Sequence, residues 1–108
     1  NLQEDYFYLE GQWQNFEDRM KLVSENGKIA LPYFAKSVNI VAASQSELQI
    51  LLDGNPIKLN DAGTDVQDGV VHVSNERLYN VISTQEAASH TLTIIAKPGF
   101  EIYTFTFG

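Results

Sequence analysis

Apolar and polar residues alternate along most of this chain with the period of two that is typical of β-strands. Ile29, Leu31 and Tyr33, for example, take every second position of one run. Successive side chains of a strand point to opposite faces of a sheet, so each run covers a core with one face. The apolar members of the runs are Phe7, Leu9 and Trp13; Ile29, Leu31 and Tyr33; Val38, Ile40 and Ala42; Leu48, Ile50 and Leu52; Leu92, Ile94 and Ala96; and Tyr103, Phe105 and Phe107. The pattern predicts an all-β chain.

Turn-forming dipeptides separate these runs. Asn26–Gly27, Asp53–Gly54, Asp68–Gly69 and Pro98–Gly99 all lie between strand-like segments. Asn, Asp and Gly tolerate the positive φ angles that tight turns between antiparallel strands require. About eight or nine short strands joined in this way favour an antiparallel β-sandwich or barrel over a fold of alternating strands and helices.

Three segments fit the alternation poorly. Residues 15–23 could form a short helix capped by Asn15, but we predict strand there. Residues 83–86 have the spacing of a helix capping box, yet too few residues follow for a helix, so we predict a loop. Residues 53–69 carry six Asp or Asn residues and three glycines, and we predict a long irregular loop of the kind that often binds ligands.

Charge and length narrow the range of partners. The chain has 108 residues and a formal net charge of -7, with only seven Lys and Arg side chains. We expect one domain over residues 1–108, because this length is typical of a single domain. Nucleic-acid binding requires clustered basic residues, which this chain lacks, so no nucleic-acid partner is expected. No apolar stretch approaches the roughly 18 residues of a membrane span, so we predict no membrane insertion by this domain.

Two absences in the sequence concern thiol chemistry and the start of the chain. The chain contains no cysteine, which removes disulfides and thiol chemistry from the domain itself. It also begins at Asn1, without a methionine or a signal pattern. We therefore expect the domain to be a piece of a longer polypeptide.

The residue pattern does not predict a catalytic site or a metal site. No glycine-flanked serine accompanies His72 or His90, so a hydrolytic triad is not predicted. Fourteen acidic residues bring some carboxylates together by chance, and they do not by themselves indicate a glycosidase. The ligands that zinc usually takes are missing from the sequence. A structural calcium ion near Asp61, Asp65 and Asp68 is conceivable but not favoured, because the register of an EF-hand is missing. We predict no catalytic residue, no metal site and no cofactor.

Aromatic side chains are the remaining candidates for ligand contact. Carbohydrate sites combine a flat ring with polar side chains that bind hydroxyl groups. Trp13 shares the face of Phe7 and Leu9, which favours a core position, whereas Tyr6 and Tyr8 should be partly exposed. Arg77 and Tyr79 lie on one strand face, where they could form a structural stack with a salt bridge or a clamp for a ligand. The sequence leaves these two alternatives equal.

Several short strings, taken in order, resemble a known family. They are Leu9–Glu10–Gly11 followed by Trp13, Leu51–Leu52–Asp53–Gly54, Gly63–Thr64–Asp65–Val66, Arg77–Leu78–Tyr79–Asn80–Val81–Ile82, Pro98–Gly99, and the closing Tyr103–Thr104–Phe105–Thr106–Phe107–Gly108. Together they resemble the C-terminal domain of DipZ-type proteins of the thioredoxin family, over nearly the whole chain. Asn80 stands where this family usually has glutamine, and Ala96–Lys97 precedes Pro98 where Leu–Asp is usual.

The resemblance implies a jelly-roll-like β-sandwich similar to galactose-binding domains and carbohydrate-binding modules. It implies an upstream thioredoxin-like domain as the partner, which would hold the missing cysteines. The parent protein would be a thiol–disulfide oxidoreductase, and an extracytoplasmic location follows from the resemblance alone. Fold similarity does not establish sugar binding, so the expectation of a carbohydrate ligand rests on the family resemblance alone.

From these observations we predict a non-catalytic module that binds carbohydrate and directs the redox domain to its substrates. A weak second contact raises the effective concentration of an attached enzyme. The alternative is a structural or interaction domain with no small ligand, which packs against the thioredoxin-like domain or a second subunit through Tyr6, Tyr8 and a sheet face. The predicted ligand contacts are Trp13, Tyr33, Asp53, Asn55, Arg77 and Tyr79.

Overall fold

The computed structural model describes residues 6–108, and within them every regular element is a β-strand. The strands are β1 (Tyr8–Glu10), β2 (Trp13–Asn15), β3 (Met20–Leu22), β4 (Gly27–Ala43), β5 (Ser46–Leu52), β6 (Asn55–Pro56), β7 (Val66–Gln67), β8 (Val70–Val73), β9 (Arg77–Ala96) and β10 (Glu101–Phe107). The all-β prediction is confirmed, although the described residues form ten strands where eight or nine were expected. Residues 6–108 include no helix that is long and apolar enough to cross a membrane.

All strand pairs are antiparallel, and two long strands organise them. The order is β2-β3-β10-β4-β9-β5-β8-β7, with β1 paired to β4 and β6 paired to β5. Residues 27–35 of β4 pair with residues 88–96 of β9, and residues 37–42 pair with residues 77–83. The first half of this pair carries β1 and β5 as neighbours, and the second half carries β10. Each long strand therefore contributes to both layers of a jelly-roll-like β-sandwich.

The core lies between these layers and follows the alternation of the sequence. Ile29, Leu31 and Tyr33 of β4 are buried, as are Ile50 of β5 and Ile94 of β9. Complete burial of such a side chain contributes about 1.5–3 kcal/mol. No charged side chain among the described residues is buried. The alternation therefore predicted correctly which side chains of the central strands are buried.

The first predicted strand is divided in two. Gly11 has a φ of 95°, and the chain turns there, so that β1 pairs with β4 whereas β2 pairs with β3. Phe7 and Leu9 are 44% and 38% exposed and do not belong to the core. An L side chain at Gly11 would be strained at this φ, which explains why glycine ends the strand.

Residues 15–23, predicted as strand, form a hairpin and not a helix. β2 ends at Asn15 and β3 begins at Met20, while the Phe16 amide donates a hydrogen bond to the Arg19 carbonyl across the turn. The prediction holds for both ends of the segment, and the turn between them was missed.

The loop predicted for residues 83–86 is wrong, because β9 continues through it. The register of β4 and β9 shifts here, so that Lys36 alone lies opposite residues 84–87. The Thr84 hydroxyl donates to carbonyl oxygens of Lys36 and Glu86 at 3.0 and 2.8 Å. The segment is a large β-bulge, a feature that bends a strand and ends its regular pairing.

Two further expectations need correction. Residues 53–69 are not one irregular loop, since they contain β6 and β7 as well as the buried side chain of Ile57. In β10 the register shifts between Ile102 and Thr104, so Ile102 is buried and Phe107 is 47% exposed. The alternation predicted for the last strand therefore reverses at its start, because a bulge turns successive side chains to the other face.

Candidate functional site

The tight turn between β5 and β6 positions a carboxylate at the edge of the sheet. Asp53 and Gly54 occupy the turn with φ angles of 52° and 85°, and Leu52 pairs with Asn55 across it. The Asp53 amide donates to the Thr91 carbonyl, and the Thr91 amide donates to Asp53 Oδ1, both at 2.9 Å. These two bonds hold the Asp53 carboxylate beside β9.

The other oxygen of this carboxylate contacts a histidine. His90 Nδ1 lies 2.6 Å from Asp53 Oδ2. Partial burial opposes ionisation of Asp53, but the hydrogen bonds from Thr91 and His90, together with the charge of His90, hold its pKa below the ordinary value. Asp53 is therefore a charged acceptor at neutral pH with a fixed orientation.

Tyr33 lies beneath this pair. The register of β4 and β9 places Tyr33 directly opposite His90, and their ring centroids are 6.1 Å apart. Tyr33 is only 1% exposed, and its hydroxyl has no hydrogen-bond partner within the described residues. Burial and the nearby carboxylates of Asp53 and Asp61 raise the pKa of the phenol, which stays neutral. A buried hydroxyl without a partner is costly and needs an explanation.

A cavity of about 200 Å³ lies beside Asp53 and His90. Its polar lining comes from Asp53, Asn55, Lys58, Asp61 and His90, and we call it the Asp61 groove. The turn over residues 58–62 positions Asp61, because the amides of Asp61 and Ala62 donate to the Lys58 carbonyl. The carboxylate of Asp61 forms no hydrogen bond or ion pair within the residues described.

The groove extends towards the bulge of β9. A neighbouring cavity of about 370 Å³ is lined by Asn60, Asp61 and Gln85 and therefore shares Asp61 with the groove. The Ser83 amide donates to the Asp61 carbonyl at 3.0 Å, which ties this wall to β9. The whole depression is open to solvent, and its polar side chains lie beside the apolar Leu52, Pro56 and Ile57.

Arg77 and Tyr79 lie elsewhere and have structural partners. The Arg77 guanidinium stacks on the Tyr79 ring with its central carbon 3.9 Å from the ring centroid. Its Nη2 lies 3.1 Å from Asp65 Oδ1, while Asp65 Oδ2 accepts a hydrogen bond of 2.7 Å from the Asn80 amide. The structural stack with a salt bridge, one of two alternatives left open by the sequence, is the arrangement observed.

The same cluster explains the asparagine at position 80. Its side-chain oxygen accepts a hydrogen bond from the Thr64 amide at 2.8 Å, and its side-chain nitrogen donates to Asn39 Oδ1 at 2.8 Å. Asn80 thereby ties the segment before β7 to both long strands.

Two of the predicted ligand contacts are buried residues. Tyr79 is fully buried, and its hydroxyl donates to the Asn75 carbonyl and accepts from the Ser74 amide. Tyr33 is also buried, so neither ring offers a face to a ligand in this conformation, and only the Tyr33 hydroxyl still needs a partner. Both residues follow the core alternation of their strands, which the prediction of ligand contact overlooked.

Trp13 is also separate from the groove. It is partly buried against the core with its ring edge towards Phe100, 6.3 Å away between centroids, and its indole nitrogen donates to the Glu10 carbonyl. The expected packing of Trp13 against the core is confirmed, as is the exposure of Tyr6 and Tyr8. Of the six predicted contacts, the groove brings together Asp53 and Asn55, whereas Tyr33 lies opposite His90 and is not among the lining residues.

His90 and Asp61 were not among the predicted ligand contacts. The sequence presents His90 as an ordinary histidine of a strand and Asp61 as a turn acid. The tertiary structure shows that His90 and Asp61, which are far apart in the chain, line the same groove. In the part of the chain that the structure describes, no three His, Asp or Glu side chains are close enough to hold a metal ion.

Comparison with known sequences places the chain in a family. The family described as the thioredoxin-like C-terminal domain matches residues 1–108. The chain belongs to this family. DipZ of Mycobacterium bovis and DipZ of Mycobacterium tuberculosis are each 26% identical to it over 108 residues, which is all of this chain and 14% of either relative. The resemblance to DipZ-type proteins is thus confirmed, and the chain spans about one seventh of the length of these relatives.

Solved structures confirm the β-sandwich. A family two carbohydrate esterase from Clostridium thermocellum, in complex with cellohexaose, is similar over 95% of this chain and 31% of that chain, with a TM-score of 0.75 and 14% identity. A family two carbohydrate esterase from Cellvibrio japonicus is similar over 94% of this chain and 32% of that chain, with a TM-score of 0.65 and 8% identity. At these identities the likeness shows a common fold.

Proposed function

We propose that this domain is a non-catalytic accessory module that binds carbohydrate in the Asp61 groove. Through this binding it directs the thioredoxin-like part of the same protein to its substrates. The observation that carries the proposal is the carboxylate of Asp61, which lines the groove and forms no hydrogen bond or ion pair within the described residues. Similarity to a carbohydrate esterase solved with cellohexaose supports the ligand class but does not locate the site.

The polar groups of the groove suit a ligand rich in hydroxyl groups. A sugar hydroxyl both donates and accepts, so one hydroxyl can donate to the Asp61 carboxylate while its neighbour accepts from Lys58 or Asn55. Asp53 is already occupied by Thr91 and His90, and we assign it the role of orienting His90. The proposal therefore gives direct contact to Asp61 and assigns His90 to the wall of the groove.

The electrostatics of Asp53 favour a binding role over acid catalysis. Asp53 has a lowered pKa, and a lowered pKa makes a carboxylate a poor general acid. We therefore propose that the domain acts by tethering, since a second weak contact raises the local concentration of the attached redox domain near glycosylated substrates.

The experiment is a titration of the ¹⁵N-labelled domain with cellohexaose and, separately, with chitohexaose, followed by amide NMR shifts. We expect saturable shifts at residues 53–61 and 85–91. Asp61→Asn should weaken this binding at least fivefold, because the amide replaces a charged acceptor. Asp68→Asn is the matched control, since Asp68 is an exposed turn acid outside the groove.

The positions of the shifted amides distinguish between binding sites, and the presence or absence of shifts distinguishes between functions. Saturable shifts at other residues would reject the groove, and a dispersed spectrum that neither sugar moves would reject carbohydrate binding by this domain. Equal weakening by Asp61→Asn and Asp68→Asn would show that general charge, and not the groove, controls the affinity.

A further inference from the structure

The N-terminal part of the chain exposes an unusual share of its apolar side chains. Among residues 6–108, ten large hydrophobic residues are exposed, and five of them lie at positions 6–16. Tyr6 is 61% exposed, Phe7 44% and Phe16 39%. Large exposed apolar patches on soluble domains mark interaction sites.

Two of these rings line a single groove. Phe7 and Phe16 border a cavity of about 300 Å³ together with Arg19, Tyr103 and Phe105, and we call this cavity the Phe7 groove. It shares no lining residue with the Asp61 groove. The Phe7 ring packs at a tilt against Phe105, with 6.0 Å between centroids, so its position is supported from below.

The border of the Phe7 groove is polar and held in place. The Arg19 guanidinium lies 4.4 Å above the Phe16 ring centroid and forms ion pairs of 2.9 Å with Asp18 and 3.4 Å with Glu101. An aromatic centre with an arginine at a polar rim is the composition that protein interfaces favour. The groove therefore suits a folded protein partner.

The position of the groove in the chain identifies that partner. The family places this domain at the C-terminal side of a thioredoxin-like protein, and the matched relatives extend far beyond it. The preceding part of such a protein joins this domain on its N-terminal side, and Phe7 of the groove lies at that end of the described residues. We propose that the thioredoxin-like domain of the same polypeptide docks on the Phe7 groove.

The proposal is tested with the polypeptide that contains both domains. ¹⁵N relaxation should give one rotational correlation time for the two domains, because docking makes them tumble together. Phe7→Ser with Phe16→Ser should separate the correlation times, and it should weaken binding of the free thioredoxin-like domain in trans by roughly tenfold or more, as for interface aromatics elsewhere. Phe34→Ser is the matched control, since Phe34 is 63% exposed and lies outside the groove.

Thermal unfolding of each isolated variant shows whether the substitutions leave the fold intact. Where Phe16→Ser unfolds the domain, Phe7→Ser alone provides the same test at a ring of the groove that is 44% exposed. Independent tumbling of the two native domains, or an equal effect of Phe34→Ser, would overturn the proposal. Sugar titration reports on the other groove, so failure of this proposal is distinguishable from failure of carbohydrate binding.

Discussion

Removal of the Asp65 carboxylate would decide whether Arg77 belongs to the scaffold or to a binding surface. Asp65→Ala takes away two acceptors at once: the partner of the Asn80 amide at 2.7 Å and the partner of Arg77 Nη2 at 3.1 Å. The Asp65 side chain is 23% exposed, so the amide it leaves behind is only partly reached by water.

The expected loss follows from the bond to Asn80. A hydrogen bond to a charged acceptor contributes about 1.5–3 kcal/mol, and an amide left without a partner adds to the cost. We expect the free energy of unfolding to fall by about 2 kcal/mol. With an entropy of unfolding of about 0.23 kcal/mol/K for a chain of 108 residues, Tm should fall by about 9 °C.

Urea unfolding followed by fluorescence measures this loss, with Glu25→Ala as a control at an exposed acid. Partial burial alone would raise the pKa of Asp65, but Arg77 and the Asn80 amide hold it below its ordinary value of 3.8. The stabilisation is therefore present above pH 3.8 and is lost as pH falls through the lower folded pKa. The difference between wild type and Asp65→Ala should shrink in acid.

A loss below about 0.5 kcal/mol, the range of neutral surface substitutions, would refute this reasoning. Arg77 would then not be held by Asp65, and a role in ligand contact would again be open to it. A pH-independent loss of about 2 kcal/mol would show instead that the packing of residues 63–66, and not the carboxylate, provides the stability.

Two further predictions concern buried groups of the same scaffold. Tyr33→Phe should raise the free energy of unfolding by about 1 kcal/mol, because it removes a buried hydroxyl without a partner, whereas Tyr79→Phe should lower it by about 1 kcal/mol through the lost bonds to Ser74 and Asn75. Urea unfolding measures both, and changes of the same sign would contradict the assignment of the two hydroxyls. Gly63→Ala should cost about 2 kcal/mol, since its Cβ would overlap the Asn80 carbonyl; a Tm within 2 °C of wild type, roughly 0.5 kcal/mol, would reject this close contact.

Predictions from the sequence were accurate for features that depend on a single strand or turn. The burial of Ile29, Leu31 and Ile50 follows from alternation within a single strand, and the turn at Asp53–Gly54 follows from residues that tolerate positive φ. Predictions failed where pairing shifts, as at residues 84–87 of β9. A bulge depends on the strand opposite, and local sequence carries little trace of it.

The candidate site shows the same division. Asp53 and Asn55 could be selected from their turn alone, and both line the groove. His90 and Asp61, which also line the groove, were not selected because each looks ordinary within its own segment. Tyr33 was selected as a ligand contact, whereas the structure buries its ring and leaves its hydroxyl without a partner within the described residues.

The sequence by itself determined the β-class, the central strands and the family, because alternation, turn residues and short ordered strings are local properties of the chain. The tertiary structure decided which distant residues meet. Pairing of β4 with β9 places Tyr33 opposite His90, and the turn of residues 58–62 brings Asp61 to the same groove. These contacts join segments separated by up to 57 residues, and their geometry depends on strand register, which no single segment specifies.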